Sequence, residues 1–156
     1  MNINEIKDRT DVLIGRLYQV WEKSVQATHT FLTEEEIGEI AKWVPAALRD
    51  VPHLIVAADK ADLPIAFMGI DGTRLEMLFI TPGERGRGIG KQLLLYGIRK
   101  YGVSELCVNE QNPQARAFYE HMGFQVYKRT NLDEQGNPYP LLYMKCDPKA
   151  ADYNEK

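Results

Sequence analysis

The sequence predicts an α+β fold of about six to seven strands and about four helices, on three observations. Residues 11–26 carry Val12, Leu13, Leu17, Val20, Trp21 and Val25 at helical spacing. Residues 53–59, 65–70 and 75–80 are short apolar runs split by turns, one of them the hairpin signal Asp71-Gly72. The last of these runs leads through a glycine-rich turn into an apolar helix and then a further strand, which implies at least one parallel pair.

Each element has its own signal. Residues 3–6 form a short strand ahead of the first helix. Thr33-Glu34-Glu35-Glu36 is a capping box, in which Thr33 and Glu36 satisfy each other's backbone N–H groups. It opens a second helix reaching about Leu48, interrupted near Pro45. The three apolar runs then make an antiparallel meander. Residues 88–101 are helical, with Ile89, Leu93, Leu94, Tyr96 and Ile98 inward, and 105–108 are a strand. Asn112-Pro113 starts a helix as N-cap and first residue, and Ala115, Phe118, Tyr119 and Met122 line one face of it. Gly123 ends that helix. Strands 124–130 and 141–146 flank a turn at 133–137.

The chain has 156 residues, 44% of them apolar and 26% charged, enough for one domain with a core. That domain is expected over 1–146, with a flexible tail at 147–156. The net charge of −3 argues against a nucleic-acid partner. Cys107, Cys146 and three histidines show no metal-ligand spacing, so no metal is expected. No apolar stretch suggests a signal peptide or membrane span, so the expected setting is cytoplasmic, as a monomer or homodimer.

The most informative stretch is Leu78-Phe79-Ile80-Thr81-Pro82-Gly83-Glu84-Arg85-Gly86-Arg87-Gly88-Ile89-Gly90-Lys91. Glycines let the backbone turn sharply with its N–H groups outward. N–H groups at a helix start are unpaired and partly positive. Arg85, Arg87 and Lys91 add three cations against Glu84 alone. Such a turn is an anion cradle, most naturally for phosphate. The P-loop pattern fails, because Arg85 stands where its first glycine belongs and Gln92 replaces Ser/Thr. The dinucleotide fingerprint fails too, because Gly90 comes one residue early. A glycine-rich turn without a ligand is the plainer alternative.

Arg85-x-x-Gly88-x-Gly90 after the strand resembles the acetyl-CoA signature of the GNAT N-acetyltransferases. Asn112-x-x-Ala115-x-x-Phe118-Tyr119-x-x-x-Gly123-Phe124 resembles that superfamily's second motif. The two cover roughly residues 75–124. Ser24-Val25-x-Ala27-Thr28-His29-x-Phe31-Leu32 and Pro138-Tyr139-Pro140-Leu141-Leu142 extend the likeness to the small bacterial acetyltransferases of the YjaB type.

The resemblance implies a three-layer, mostly antiparallel sheet that splays at its centre. It implies an N-acetyltransferase moving an acetyl group from acetyl-CoA directly to an amine of a small molecule or peptide, in a ternary complex and without a metal. Residues Arg85, Gly86, Arg87, Gly88, Ile89, Gly90 and Lys91 would hold the diphosphate. Backbone groups of Leu78, Phe79 and Ile80 would pair with the pantetheine arm, and an N–H near Leu78 or Phe79 would polarise the thioester carbonyl. Asn112 and Phe118 would contact the same arm, although Asn112 also reads as a cap and Phe118 as core.

Tyr119 falls where the motif places a tyrosine beside the thioester sulfur, as general acid; its apolar neighbours also suit a packed aromatic. Glu76, on the central strand's Leu78–Ile80 face, is the candidate general base, with solvent exposure as the alternative. Glu110 is a second candidate. Cys107 stands where some relatives carry a strand glutamate, so that base does not transfer. Trp21, His29, Phe31 and Tyr139 are candidates for the acceptor pocket, His29 also as a proton relay. Two rival functions are an acyl-CoA-binding sensor without turnover and a nucleotide-phosphate binder, the latter disfavoured by both failed motifs.

Overall fold

The computed structural model describes residues 1–147. The tail expected at 147–156 lies outside the described residues except for Asp147. The chain divides into two compact units, the first Met1–Asp71 with Glu76–Leu94, the second Gly72–Leu75 with the residues from Leu95 onward.

In the first unit β1 (Asn2–Glu5) is followed by α1 (Asp11–Thr28). Thr10 caps α1 by accepting from Leu13 N–H at 3.2 Å. The predicted face of α1 is buried through Ile14, Leu17, Val20, Trp21 and Val25. These pack with Leu48, Leu54, Val56 and Phe67 in one apolar core. The Thr33–Glu36 capping box forms, with bonds of 3.1 and 3.0 Å.

The single helix expected over 33–48 is two. Helix α2 (Glu34–Ala41) ends before Trp43, and α3 (Val44–Asp50) starts anew with Pro45 in its first turn. Proline has no N–H and its ring collides with the carbonyl four residues back, so the turn through Ala41 cannot continue into it. The described residues therefore hold five α-helices, α2 and α3 taking the place of one.

The meander is β2 (His53–Ala58), β3 (Pro64–Asp71) and β4 (Arg74–Ile80), with β1 antiparallel on the far side of β2. The β3–β4 hairpin turns at Gly72-Thr73, with Gly72 at φ +62 as such a tight turn requires. Along β4, Met77 and Phe79 face the core, Phe79 lying 5.6 Å from the Phe67 ring. Glu76, Leu78 and Ile80 take the alternate positions.

In the second unit the start of β4 pairs in parallel with β5 (Glu105–Asn109), Arg74 with Glu105 and Leu75 with Leu106. Strand β7 (Leu141–Lys145) lies antiparallel between β5 and β6 (Gln125–Thr130). The strand order β1-β2-β3-β4-β5-β7-β6 makes one seven-stranded sheet, mostly antiparallel as expected. Helix α4 (Ile89–Tyr101) joins β4 to β5, and α5 (Pro113–His121) joins β5 to β6.

Candidate active site

Strand β4 leaves the sheet through a 3-10 turn over Pro82–Glu84, anchored where Thr81 N–H donates to the Ile65 carbonyl at 2.8 Å. Gly86 and Gly88 both have positive φ, +80 and +78. A side chain at either would be strained. A Cβ built at either position meets nothing within 4 Å, so the space over this backbone is open. The first bond of α4 runs from Gln92 N–H to the Gly88 carbonyl, 3.0 Å. The N–H groups of Ile89, Gly90 and Lys91 thus precede the helical ladder and carry the positive end of the helix dipole. Strand, glycine turn and helix start together leave these N–H groups facing open space.

The three cations of the turn are not equivalent. Arg85 Nη2 donates to Ser24 Oγ at 3.1 Å and to the Ser24 carbonyl at 3.4 Å. Arg87 pairs with Glu84 at 3.2 Å, an exposed contact worth little. Lys91 is exposed. Arg87, Glu84, Ile89 and Gln92 also line a surface cavity of about 570 Å³ that includes Lys60 and Asp59.

Arg85 leads to His29, which caps the C-terminus of α1 by donating its backbone N–H to the Val25 carbonyl at 2.8 Å. Its Nδ1 is 2.8 Å from Thr28 Oγ1, and Thr28 Oγ1 donates to the Ser24 carbonyl at 2.8 Å. Its ring lies 5.4 Å from Phe31. Burial first, and then the Arg85 charge, hold the imidazole below its ordinary pKa of 6.5. Ser24 is itself buried. Four residues of the first unit therefore form a chain: Arg85, Ser24, Thr28, His29. The sequence marks this chain only faintly, in the four-residue spacing of Ser24 and Thr28 and the adjacency of Thr28 to His29.

In the second unit Asn112 caps α5, its side-chain oxygen accepting from Ala115 N–H at 3.2 Å. That leaves the amide NH₂ as a donor. The helix closes at Gly123, φ +98, with Phe124 N–H on the Tyr119 carbonyl at 2.9 Å. The half-buried Tyr119 lies edge-on to Phe118 and Phe124, at 5.1 and 6.0 Å between rings. Burial above all, and then the Cys107 charge, raise its phenol well above the ordinary 10. It therefore stays protonated throughout the working range, as a hydrogen-bond donor must.

The base candidates fare differently. Glu76 is exposed on β4. Glu110 is exposed and bound by Arg129 through both of its oxygens, and those hydrogen bonds lower its pKa. A carboxylate so engaged is a poor proton acceptor. Cys107 accepts from Arg74 Nη2 at 3.2 Å.

Of the acceptor candidates, Trp21 is buried, 4% exposed, within the apolar core. His29 and Phe31 stack together and are half-buried. Tyr139 is half-buried in the β6–β7 connection of the second unit. Among the described residues no group of three or more His, Cys, Asp or Glu is placed to hold a metal ion.

Residues 50–126 match the family model described as an acetyltransferase (GNAT) domain. The chain is 42% identical over 127 residues to the peptidyl-lysine N-acetyltransferase YjaB of Salmonella typhimurium, covering 81% of this chain and 87% of that protein. The chain belongs to the GNAT acetyltransferase family. The solution structure of apo YjaB from Escherichia coli superposes on this acetyltransferase with a TM-score of 0.83, at 37% identity and covering 94% and 98% of the two chains. The PaiA N-acetyltransferase of Thermoplasma acidophilum, solved in complex with coenzyme A, shares the fold, with a TM-score of 0.62 and 22% identity, covering 93% and 99%. The acetyltransferase moves an acetyl group from acetyl-CoA to an amine. The comparisons lend nothing to the sensor without turnover. No described helix is long and apolar enough to cross a membrane.

Proposed function

We propose that this acetyltransferase modifies lysine side chains of peptides or proteins by direct transfer in a ternary complex. The observation that carries the cofactor half is the turn at 85–91, with Gly86 and Gly88 at positive φ opening onto the start of α4. Those N–H groups, with Arg87 and Lys91, suit the diphosphate of acetyl-CoA. Gly90 is buried at the start of the helix. Backbone groups of Leu78, Phe79 and Ile80 serve the pantetheine arm as an added strand would, and an N–H there polarises the carbonyl. In the second unit, Asn112 has an amide NH₂ to offer a ligand. Tyr119 donates toward the departing sulfur.

The acceptor class follows the relatives, named as peptidyl-lysine N-acetyltransferases. Phe31, beside His29 in the first unit, is the side chain assigned to the acceptor's aliphatic stem. Glu76 is retained as a water-mediated base of secondary weight, being exposed. No metal takes part in this scheme. The proposed setting is the cytoplasm, as a monomer or homodimer and without nucleic acid.

The test is release of free thiol from acetyl-CoA against a panel of lysine peptides, peptide N-termini and polyamines. It is paired with a thermal shift by acetyl-CoA, CoA and ATP. Stabilisation by CoA with preferred turnover on internal lysine is the expected result. Preference for polyamines or N-termini would refute the acceptor class, and stabilisation by ATP over CoA would refute the cradle.

A further inference from the structure

We propose that His29, acting through Nε2, takes the proton from the acceptor's ammonium group; the inference rests on the amine-acetylating reading above. The argument begins with one hydrogen. A threonine hydroxyl carries a single proton, and a carbonyl oxygen can only accept. The Thr28 hydroxyl is 2.8 Å from the Ser24 carbonyl, so its proton lies there. The second short contact, Thr28 Oγ1 to His29 Nδ1 at 2.8 Å, is then made by a proton on Nδ1. A neutral imidazole has one N–H, so Nε2 holds the lone pair. The tautomer is set by the backbone of α1 itself, one turn back.

The ring is also held in place. The His29 backbone caps α1, and Phe31 packs beside the imidazole. Two charges of opposite sense act on it. The C-terminal dipole of α1 favours a cation, while burial and the Arg85 guanidinium disfavour one, and the latter prevail. Arg85 is fixed for that task by Ser24. His29 is therefore a neutral, oriented acceptor at neutral pH, whereas Glu110 is committed to Arg129.

The proton ledger closes. The ammonium R–NH₃⁺ loses one proton to Nε2, giving R–NH₂ and imidazolium, which later releases that proton to solvent. The amine nitrogen forms a bond to the acetyl carbon, and the carbon–sulfur bond breaks. A second proton leaves nitrogen as the amide forms, and one proton ends on sulfur as the CoA thiol. Thr28 is a positioning residue, because it acts only through the ring.

The test has three readouts on the full chain. Two-bond ¹⁵N spectra of the histidine ring at pH 7.5 are expected to show Nδ1 protonated and Nε2 bare. An Nε2–H tautomer or an imidazolium would overturn the proposal. The kcat/KM for a lysine peptide at pH 7.5 is expected to fall about a hundredfold in His29→Ala, with CoA affinity unchanged. The variant's rate is expected to climb with pH beyond the wild-type plateau and to be partly restored by added imidazole. Wild-type turnover in His29→Ala would overturn the base assignment while leaving the function standing. A wild type that binds CoA but acetylates no amine would refute the function, and the tautomer spectra would still decide the state of His29. Thr28→Val is expected to lose about tenfold in kcat and Thr28→Ser to recover it, with both keeping the wild-type KM for acetyl-CoA.

Discussion

Arg85 Nη2 lies 3.1 Å from Ser24 Oγ and 3.4 Å from the carbonyl oxygen of the same residue, so one guanidinium nitrogen ties the glycine turn to the last turns of α1. A cation that sequence assigns to phosphate thus also braces the end of α1. Its charge still matters, because it bears on His29.

Arg85→Met removes a positive neighbour from His29, so the imidazole pKa must rise toward its ordinary value. An NMR titration of the His29 ring should move to higher pH, and the acid limb of kcat/KM should follow it. A titration curve unchanged from wild type would sever the link between Arg85 and His29.

The same depression makes the fold sensitive to acid. His29 binds protons less readily folded than unfolded, so its share of stability is complete above about pH 6.5 and is lost as pH falls from there toward the folded pKa. His29→Gln should flatten that part of the curve of unfolding free energy against pH. An equally steep decline in the variant would assign the acid sensitivity elsewhere.

Gly88→Val places a β-branched residue at φ +78, a strain of roughly 1–2 kcal/mol, with its methyl groups in the open space over the turn. The variant should fold with a slightly lower Tm and lose CoA affinity by more than a hundredfold. Calorimetry showing normal CoA binding by the folded variant would remove the cradle.

Tyr119→Phe should retain CoA affinity and lose about a hundredfold or more in kcat. Because burial holds the phenol well above 10, the wild-type kcat profile should show no alkaline limb from this residue up to pH 10. A limb near pH 10 that vanishes in Tyr119→Phe would contradict the raised pKa.

Trp21→Phe should cost roughly 1–3 kcal/mol of stability, as shape changes in a packed core do, and leave the acceptor KM within twofold. A large rise in KM with unchanged stability would return Trp21 to the acceptor site.

Most of the fold is legible because its signals are local. The Thr33–Glu36 box, the Gly72 turn and the Asn112–Pro113 start each depend on a few adjacent residues, and each forms. The split between α2 and α3 is less legible, since Pro45 shows that a helix is disturbed but not which side of it ends. The proposed cradle is equally local and reads from four glycines and three cations. The roles of Arg85 and Trp21 are not local. A partner 61 residues away engages the first, and the apolar core encloses the second. Glu110 looks like any acidic residue until Arg129 is folded beside it.

Strand β1 carries a consequence for the order of assembly. Asn2 pairs with Ala58 and Glu5 with Ile55, so its partner lies beyond three helices. Closing a loop of about fifty residues costs more entropy than turning the β3–β4 hairpin. On a ribosome, β1 emerges before β2 and waits for it to be made. The meander β2–β4 can form from neighbours in sequence, with β1 added afterwards as its edge. Strand β1 is therefore a late closure, expected to have lower hydrogen-exchange protection than β3.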